Sequence, residues 1–136
     1  KMIKSKRFNN LKLLKEKKLN KVYIEINTLN NEISKSNNLK NKLRKIKSNS
    51  FIEKKHNNSM NILYKYEFER KLLEQIEICE NRVLFLKKEL LIAKNKLGKL
   101  VSQKKLIEEK IKYIFIQELK VKEEKLLKNT PVFRKG

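Results

Sequence analysis

The sequence predicts an all-α fold in which two long helices form an antiparallel coiled-coil hairpin. In the second half of the chain an apolar residue recurs every three or four positions, which is the spacing of a helical seam. The chain has only two glycines and one proline, so few positions force it to turn. A segment rich in serine and asparagine separates this seam from an earlier helical pattern. We therefore treat residues 1–136 as a single elongated coiled-coil domain.

The first helix is predicted over residues 4–47. Its clearest apolar face steps by three and four through Leu19, Val22, Ile26, Leu29 and Ile33. The same face is marked more loosely beforehand by Phe8, Leu11 and Leu14. After a polar patch at 34–38, the pattern resumes in a shifted phase at Leu39, Leu43 and Ile46. This shift predicts a local change in supercoil or a looser contact around the patch.

The chain is predicted to reverse within residues 48–59. Serine and asparagine favour turns and helix caps because their side chains satisfy free backbone groups. Ser50 with Glu53 fits a capping box, and Asn58 or Ser59 also fits a cap for the second helix. A short connection between two helices predicts antiparallel packing. The second helix is expected over residues 60–128, followed by a frayed tail at 129–136 that contains Pro131.

The second helix carries the clearest seam of the sequence. Alternating steps of four and three give Leu72, Ile76, Cys79, Val83, Leu86, Leu90, Ala93, Leu97, Leu100, Lys104, Ile107, Ile111 and Ile114. Only Lys104 is polar. An apolar seam on one side of a helix needs a second helix to cover it, and the first helix is the natural partner. We expect Leu90 and Leu97 to be buried at mid-seam.

The net charge of +21 is carried mostly by lysine, with 31 lysines and five arginines. Lysine, asparagine and isoleucine have A/T-rich codons, so drift in an A/T-rich genome and selection for a basic surface are both open explanations. Residues 1–50 contain fifteen basic and three acidic residues, whereas 72–103 contain six and four. Antiparallel pairing brings the lysines of both chain ends together. The expected result is one cationic tip suited to an acidic pore or a polyanion.

The sequence offers no residues arranged for catalysis, and we expect a protein that is not an enzyme. His56 is the only histidine and lies in the predicted turn, while Cys79 is the only cysteine and lies on the seam. Neither pattern predicts a metal, a cofactor or a thiol nucleophile. The pair Glu108–Glu109 is best explained as a solvated helix face. No run of about 18 apolar residues or hydrophobic signal core is present, which predicts a soluble cytoplasmic protein.

A basic coiled coil that binds nucleic acid or the ribosome is the alternative function. Lysines bind phosphates with release of counterions, which suits so basic a chain. However, the lysines surround the helices instead of forming a stripe with stacking aromatic residues. Arginine, the usual reader of base edges, is scarce. Nucleic acid is therefore the less favoured partner.

The chain resembles the FliJ family of the bacterial flagellar type III export apparatus, whose virulence-system relatives share the fold. Near the start, Leu11-Lys12-x-Leu14-x-Glu16-Lys17 is similar to the family's opening turn. Phe68, Leu72 and Ile76 match its aromatic-x-x-x-Leu-x-x-x-Ile pattern. Leu119-x-x-Lys122 and the closing Arg134-Lys135 resemble its basic C-terminus. The chain departs from the family in composition, because lysine, asparagine and isoleucine replace much glutamine, alanine and arginine.

This resemblance implies a stalk similar to that of rotary ATPases, located in the cytoplasm and peripheral to the inner membrane. Its terminal tip would enter the hexameric export ATPase, through Leu11, Lys12, Leu14, Lys15, Phe115, Leu119 and Lys122. Another surface would contact the cytoplasmic domain of the membrane export gate, through Leu43, Ile46, Phe68 and Leu72. Substrate-specific export chaperones are further implied partners. For each apolar residue, a place in the intramolecular core is the competing explanation.

Overall fold

The computed structural model describes the backbone of residues 2–53 and 59–129, and the side chains of residues 4–49 and 61–129. Over these residues the chain forms two long α-helices packed against each other as a hairpin, so the predicted all-α fold is confirmed. Helix α1 spans Met2–Glu53 and helix α2 spans Ser59–Asn129. The predictions for His56, Asn58 and the tail beyond residue 129, with Pro131, Arg134 and Lys135, lie outside the described residues.

Helix α1 continues six residues beyond its predicted end. Ser50 and Glu53 therefore belong to α1, and the capping box predicted from them at the start of the second helix is wrong. No proline or glycine interrupts residues 48–53, so nothing in the local sequence stops the helix there. Helix α2 begins at Ser59, one of the two residues predicted as its cap. The other three helix ends lie within two residues of their predicted positions.

The structure falls into two compact units, each built from a piece of both helices. The terminal unit comprises Lys1–Tyr23 with Lys96–Gly136, and the middle unit comprises Ile24–Asn95. In the terminal unit Lys15 Nζ donates a 2.9 Å hydrogen bond to Gln103 Oε1. In the middle unit Arg82 pairs with Glu32 at 3.2 Å, and Arg44 pairs with Glu80 at 2.8 Å. From the first pair to the second, the residue number rises on α1 and falls on α2, which is the order of two antiparallel helices.

The seam predicted on α2 is present in the structure. All thirteen of its positions from Leu72 to Ile114 are buried or half-buried, and Cys79 is among the buried ones. The same alternation of three and four extends the half-buried positions to Ile62 in one direction and Val121 in the other. Leu90 and Leu97, expected to be buried, are half-buried. Only one helix covers this seam, so the outer edges of large side chains stay in water.

The seam of α1 keeps one phase throughout, and the predicted phase shift is wrong. Its positions of low exposure are Ser5, Phe8, Lys12, Lys15, Leu19, Val22, Ile26, Leu29, Ile33, Ser36, Lys40, Leu43 and Lys47. Leu39 and Ile46, predicted on the seam, are 51% and 45% exposed. Leu11 and Leu14, assigned to the same face, are also exposed. Four seam positions of α1 are thus taken by a lysine that directly follows an exposed leucine or isoleucine, namely Lys12, Lys15, Lys40 and Lys47.

Helix geometry explains why the polar residues occupy the seam. Moving the contact from Lys40 to Leu39 would require α1 to rotate by about 100°. An unbroken helix cannot rotate locally, and the half-buried contacts of Ile26, Leu29 and Ile33 hold this part of α1 in the seam phase. Half-buried lysines such as Lys40 are tolerated because their methylene stems pack on apolar surface while the ammonium groups reach water. Ser36 is small enough to be buried there.

Gly98 is the one glycine within the described residues and lies inside α2. A Cβ atom added at this residue would meet nothing within 4 Å. Since glycine costs about 0.5–1 kcal/mol relative to alanine inside a helix, Gly98→Ala is expected to raise the free energy of unfolding by that amount. Urea unfolding followed by circular dichroism measures the change. A loss of stability would show that residue 98 does not accept a side chain.

Candidate interaction site

Positive charge is concentrated in the terminal unit. Its described residues, 4–23 and 96–129, contain eighteen lysines and arginines and six glutamates, a net charge of +12. The described side chains of the middle unit, at residues 24–49 and 61–95, include thirteen basic and eight acidic ones, a net charge of +5. The difference comes from both helices, which contribute eight and ten basic residues to the terminal unit. The terminal unit is therefore the more cationic of the two units.

Some of these charges already serve the hairpin. Lys104 Nζ lies 3.6 Å from Glu16 Oε1, and Lys15 bonds Gln103. Glu16 is the single acidic residue between residues 4 and 23. Because Glu16 contacts Lys104 of α2, no carboxylate within residues 4–23 is left to pair with the basic residues of the same segment. Apart from the half-buried Lys12 and Lys15, these cations are exposed.

The outward side of α1 in the terminal unit combines positive charge with exposed leucine. We call it the cationic face, and it consists of Lys6, Arg7, Leu13, Leu14, Lys17 and Lys21. An open groove of about 420 Å³ runs along part of it and is lined by Lys6, Arg7, Asn10, Leu11 and Leu14. Cations around apolar side chains suit the acidic surface of another protein, because the leucines add apolar contact area to the charge contacts.

The residues predicted to bind the ATPase all belong to the terminal unit. Five of them are exposed, namely Leu11, Leu14, Phe115, Leu119 and Lys122. The other two, Lys12 and Lys15, occupy half-buried positions on the seam of α1. Lys15 is held by Gln103. The exposed five are accessible to a partner with the hairpin intact, whereas the two lysines contribute mainly to the contact between the helices.

The residues predicted to bind the export gate all belong to the middle unit. Ile46 and Phe68 are exposed. Leu43 is half-buried on the seam of α1, and Leu72 is only 7% exposed on the seam of α2. A partner can therefore reach Ile46 and Phe68 directly. It reaches Leu72 only if the hairpin opens, so this side chain serves the core.

A smaller cavity of about 210 Å³ lies in the terminal unit between the two helices. Lys4 of α1 lines it together with Tyr113, Ile114, Gln117, Glu118 and Val121 of α2. Glu118 Oε1 is inaccessible to solvent and has no hydrogen-bond partner among the described side chains. At this end of the α2 seam a half-buried glutamate takes the place of an apolar residue.

The described residues hold no group of three or more His, Cys, Asp or Glu side chains suited to a metal ion. Within the same ranges, no helical stretch combines the length and apolar character needed to cross a bilayer. The clearest perturbed charges lie at the start of α2, where Arg70 bonds Glu67 and Glu74. These bonds lower the pKa of Glu67 and raise the pKa of Arg70. All three groups are exposed and support the helix locally.

Sequence reasoning missed an apolar surface on α2. It assigned the seam, and the resemblance gave Phe68, Phe115 and Leu119 to partner sites. The other large apolar residues of α2 were left unassigned, and several are strongly exposed. The available signal was the seven-residue recurrence of Ile78, Phe85 and Ile92, which puts the three on one line along a helix. Their exposure depends on which side α1 covers, so the structure was needed to show it.

These features define the class of protein: a two-helix antiparallel hairpin with heptad-spaced seams and a strongly cationic terminal unit. Comparison of the chain with protein-family models, with curated proteins and with solved structures finds no significant match. The FliJ resemblance therefore depends on the sequence motifs alone. The chain's own charges and exposed side chains are the basis for inferring its function.

Proposed function

We propose that this protein is a non-enzymatic coiled-coil stalk of the bacterial flagellar type III export apparatus. In this proposal the terminal unit inserts into the pore of the hexameric export ATPase, and the middle unit contacts the cytoplasmic domain of the membrane export gate. The protein then acts in the cytoplasm and is peripheral to the inner membrane through its partners. Export chaperones are further candidate partners.

The observation that carries this proposal is the charge of the terminal unit, which has a net +12 over its described residues. Charge of one sign at the end that carries both terminal helix segments steers that end towards an acidic surface and raises the association rate. The exposed leucines of the cationic face add apolar contact area. A hairpin that presents both chain ends in one unit also fits the fold implied by the FliJ resemblance.

Truncating the leucines of the groove is expected to weaken ATPase binding. The double variant Leu11→Ser/Leu14→Ser removes two exposed anchors and should raise the Kd for the export ATPase about tenfold or more, since interface anchors are each worth about 1–2 kcal/mol or more. Stimulation of ATP hydrolysis by the purified hexamer should fall in parallel. Titration of the hexamer with the full-length protein measures both quantities.

The matched control is Leu84→Ser/Leu91→Ser in the middle unit, which removes two leucines that are also exposed. This variant should bind and stimulate the ATPase as the wild type does, with circular dichroism confirming that both variants are helical. Equal loss in both variants would contradict a site in the terminal unit. Failure of the wild-type protein to bind the ATPase at all would overturn the export-stalk proposal.

A basic coiled coil that binds nucleic acid or the ribosome remains the second candidate, because the same +12 unit also suits a polyanion. Tyr113 is exposed on α2, close in sequence to Lys110 and Lys112, and offers a ring for stacking. This candidate requires RNA binding at physiological salt with a steep salt dependence. Binding only at low salt is expected of any chain with this charge and supports neither function.

A further inference from the structure

The middle unit carries a second apolar surface on α2, on the side opposite the seam. We call it the outer stripe: Ile78, Leu84, Phe85, Leu91 and Ile92. Each of these residues is 56–61% exposed, whereas the intervening seam residues Val83 and Leu86 are buried. Recurrence at seven-residue intervals places them in two columns along the helix. Asn81 and Lys88 lie between the columns.

Composition alone does not explain the outer stripe. A chain biased towards leucine, isoleucine and phenylalanine would place them on every outward surface. The outward side of α1 in the same unit is instead entirely polar from residue 27 to residue 42. It consists of Asn27, Thr28, Asn31, Ser34, Lys35, Asn38, Asn41 and Lys42, all exposed. Beside this polar stretch of α1, the exposed apolar residues of the outward surface therefore lie on α2.

The outer stripe is large enough for a specific contact. Each of its side chains leaves on the order of 100 Å² in water, so that the stripe offers about 500 Å². This lies in the range of the largest apolar patch on typical monomers, which is often functional. It also matches the share of one partner in a specific interface of about 1,000 Å². Along the helix it extends about 21 Å, or four turns.

The charges beside the outer stripe indicate what covers it. Lys88 lies between the two columns, and Lys87 and Lys94 lie along the edge formed by Leu84 and Leu91. None of the three lysines makes an ion pair within the described side chains. Of the acidic residues nearby, Glu80 lies on the same edge and is bonded to Arg44. Glu77 is exposed one heptad before Leu84, and Glu89 is half-buried on the opposite edge. A molecule lying on the stripe therefore meets apolar side chains and three free ammonium groups.

We propose that the outer stripe docks an acidic amphipathic helix of a partner protein. Apolar residues of that helix, at heptad spacing, pack on the two columns. Carboxylates beside them pair with Lys87, Lys88 and Lys94. A helix fits because the columns repeat every seven residues, as the contact positions of a packed helix do. The proposal concerns a surface in the middle unit and does not depend on export function.

A second copy of this chain is the less favourable occupant. Two copies each carry a net charge of +21, so their association works against strong mutual repulsion. Packing stripe on stripe would also bring the lysines of both copies into one interface, with like charges close together. A partner with acidic residues instead gains from the same lysines, both in association rate and in specificity.

A synthetic peptide tests the proposal with the full-length protein. The probe is a fluorescein-labelled, 21-residue helical peptide with leucines at heptad seam positions and glutamates beside them. A second peptide has the same composition and charge but scrambled leucine positions. Fluorescence anisotropy at physiological salt gives both affinities. We expect the heptad peptide to bind at least tenfold more tightly than the scrambled one.

Two protein variants locate the binding site. Phe85→Ser/Ile92→Ser should abolish the preference for the heptad peptide, and so should Lys87→Glu/Lys88→Glu/Lys94→Glu. The matched control is Leu106→Ser/Tyr113→Ser, which changes two similarly exposed residues of α2 in the terminal unit. It should retain the preference. Circular dichroism verifies that each variant is helical, as expected for substitutions at exposed positions.

Three results would overturn the proposal. Equal affinity for the two peptides would mean that charge alone drives binding. A preference that survives Phe85→Ser/Ile92→Ser would place the site elsewhere on the molecule. Sedimentation equilibrium that finds a dimer, dissociated by the same variant, would assign the stripe to a second copy. Each outcome is independent of ATPase binding, which is measured with different variants in the terminal unit.

Discussion

Replacing Leu86 by alanine is expected to lower the free energy of unfolding by about 2–5 kcal/mol. Leu86 is 4% exposed at the middle of the α2 seam. Truncating it removes buried methyl groups and leaves a cavity that the surrounding side chains fill only in part. A two-helix hairpin has a thin core, so a loss of this size is a large fraction of its total stability. Urea unfolding followed by circular dichroism measures the change.

Leu84 provides a matched control two residues away on the same helix. It is 60% exposed, so Leu84→Ala removes little buried surface. Alanine is also the better helix former, and the expected change is within about 0.5 kcal/mol. Comparable losses in the two variants would contradict the assignment of the seam to one side of α2. A reversed order would mean that α1 covers the outer stripe instead.

Exchanging two neighbouring residues of α1 is expected to stabilise the hairpin. The double variant Leu39→Lys/Lys40→Leu keeps both composition and net charge. It moves leucine from a position that is 51% exposed to a half-buried position on the seam. Burying part of a leucine side chain should raise the free energy of unfolding by about 1–2 kcal/mol. The midpoint of urea unfolding measures the gain.

The exchange distinguishes the two possible phases of α1. If Leu39 packed on the seam, as its sequence pattern suggested, the same variant would bury a lysine in place of a leucine and lose stability. The two single variants serve as controls. Lys40→Leu should provide most of the gain, and Leu39→Lys should be close to neutral because its side chain is mostly in water.

The polar seam of α1 has a consequence for local stability. In the middle unit, the apolar seam of α2 faces a helix whose own seam includes Ser36, Lys40 and Lys47. Fewer apolar contacts leave this part of the hairpin less stable than the part around Val22 and Leu19, which are both buried. Local opening is therefore expected to require less free energy here. Hydrogen exchange should be faster in the α1 backbone at residues 36–47 than at 19–29.

Much of the fold could be predicted from the sequence because the α2 seam repeats over thirteen positions with a single polar residue, Lys104. One period of 3.5 residues permits only one assignment, namely a helix with a single apolar side. The scarcity of glycine and proline then limited the number of turns, and the two long helices followed. The concentration of positive charge at the terminal unit also followed, since it needs only the antiparallel order and the positions of lysine in the chain.

The phase of α1 was decided by tertiary structure. Near Leu39 and Ile46, the local pattern of apolar residues indicated one side of the helix, but the buried side is the one that continues from Ile26, Leu29 and Ile33. The reason is that an unbroken α-helix transmits its phase along its whole length. A few leucines cannot rotate it against the rest of the seam. Likewise, the exposure of Phe85 follows from which side of α2 is covered by α1, and this is a property of the packed pair.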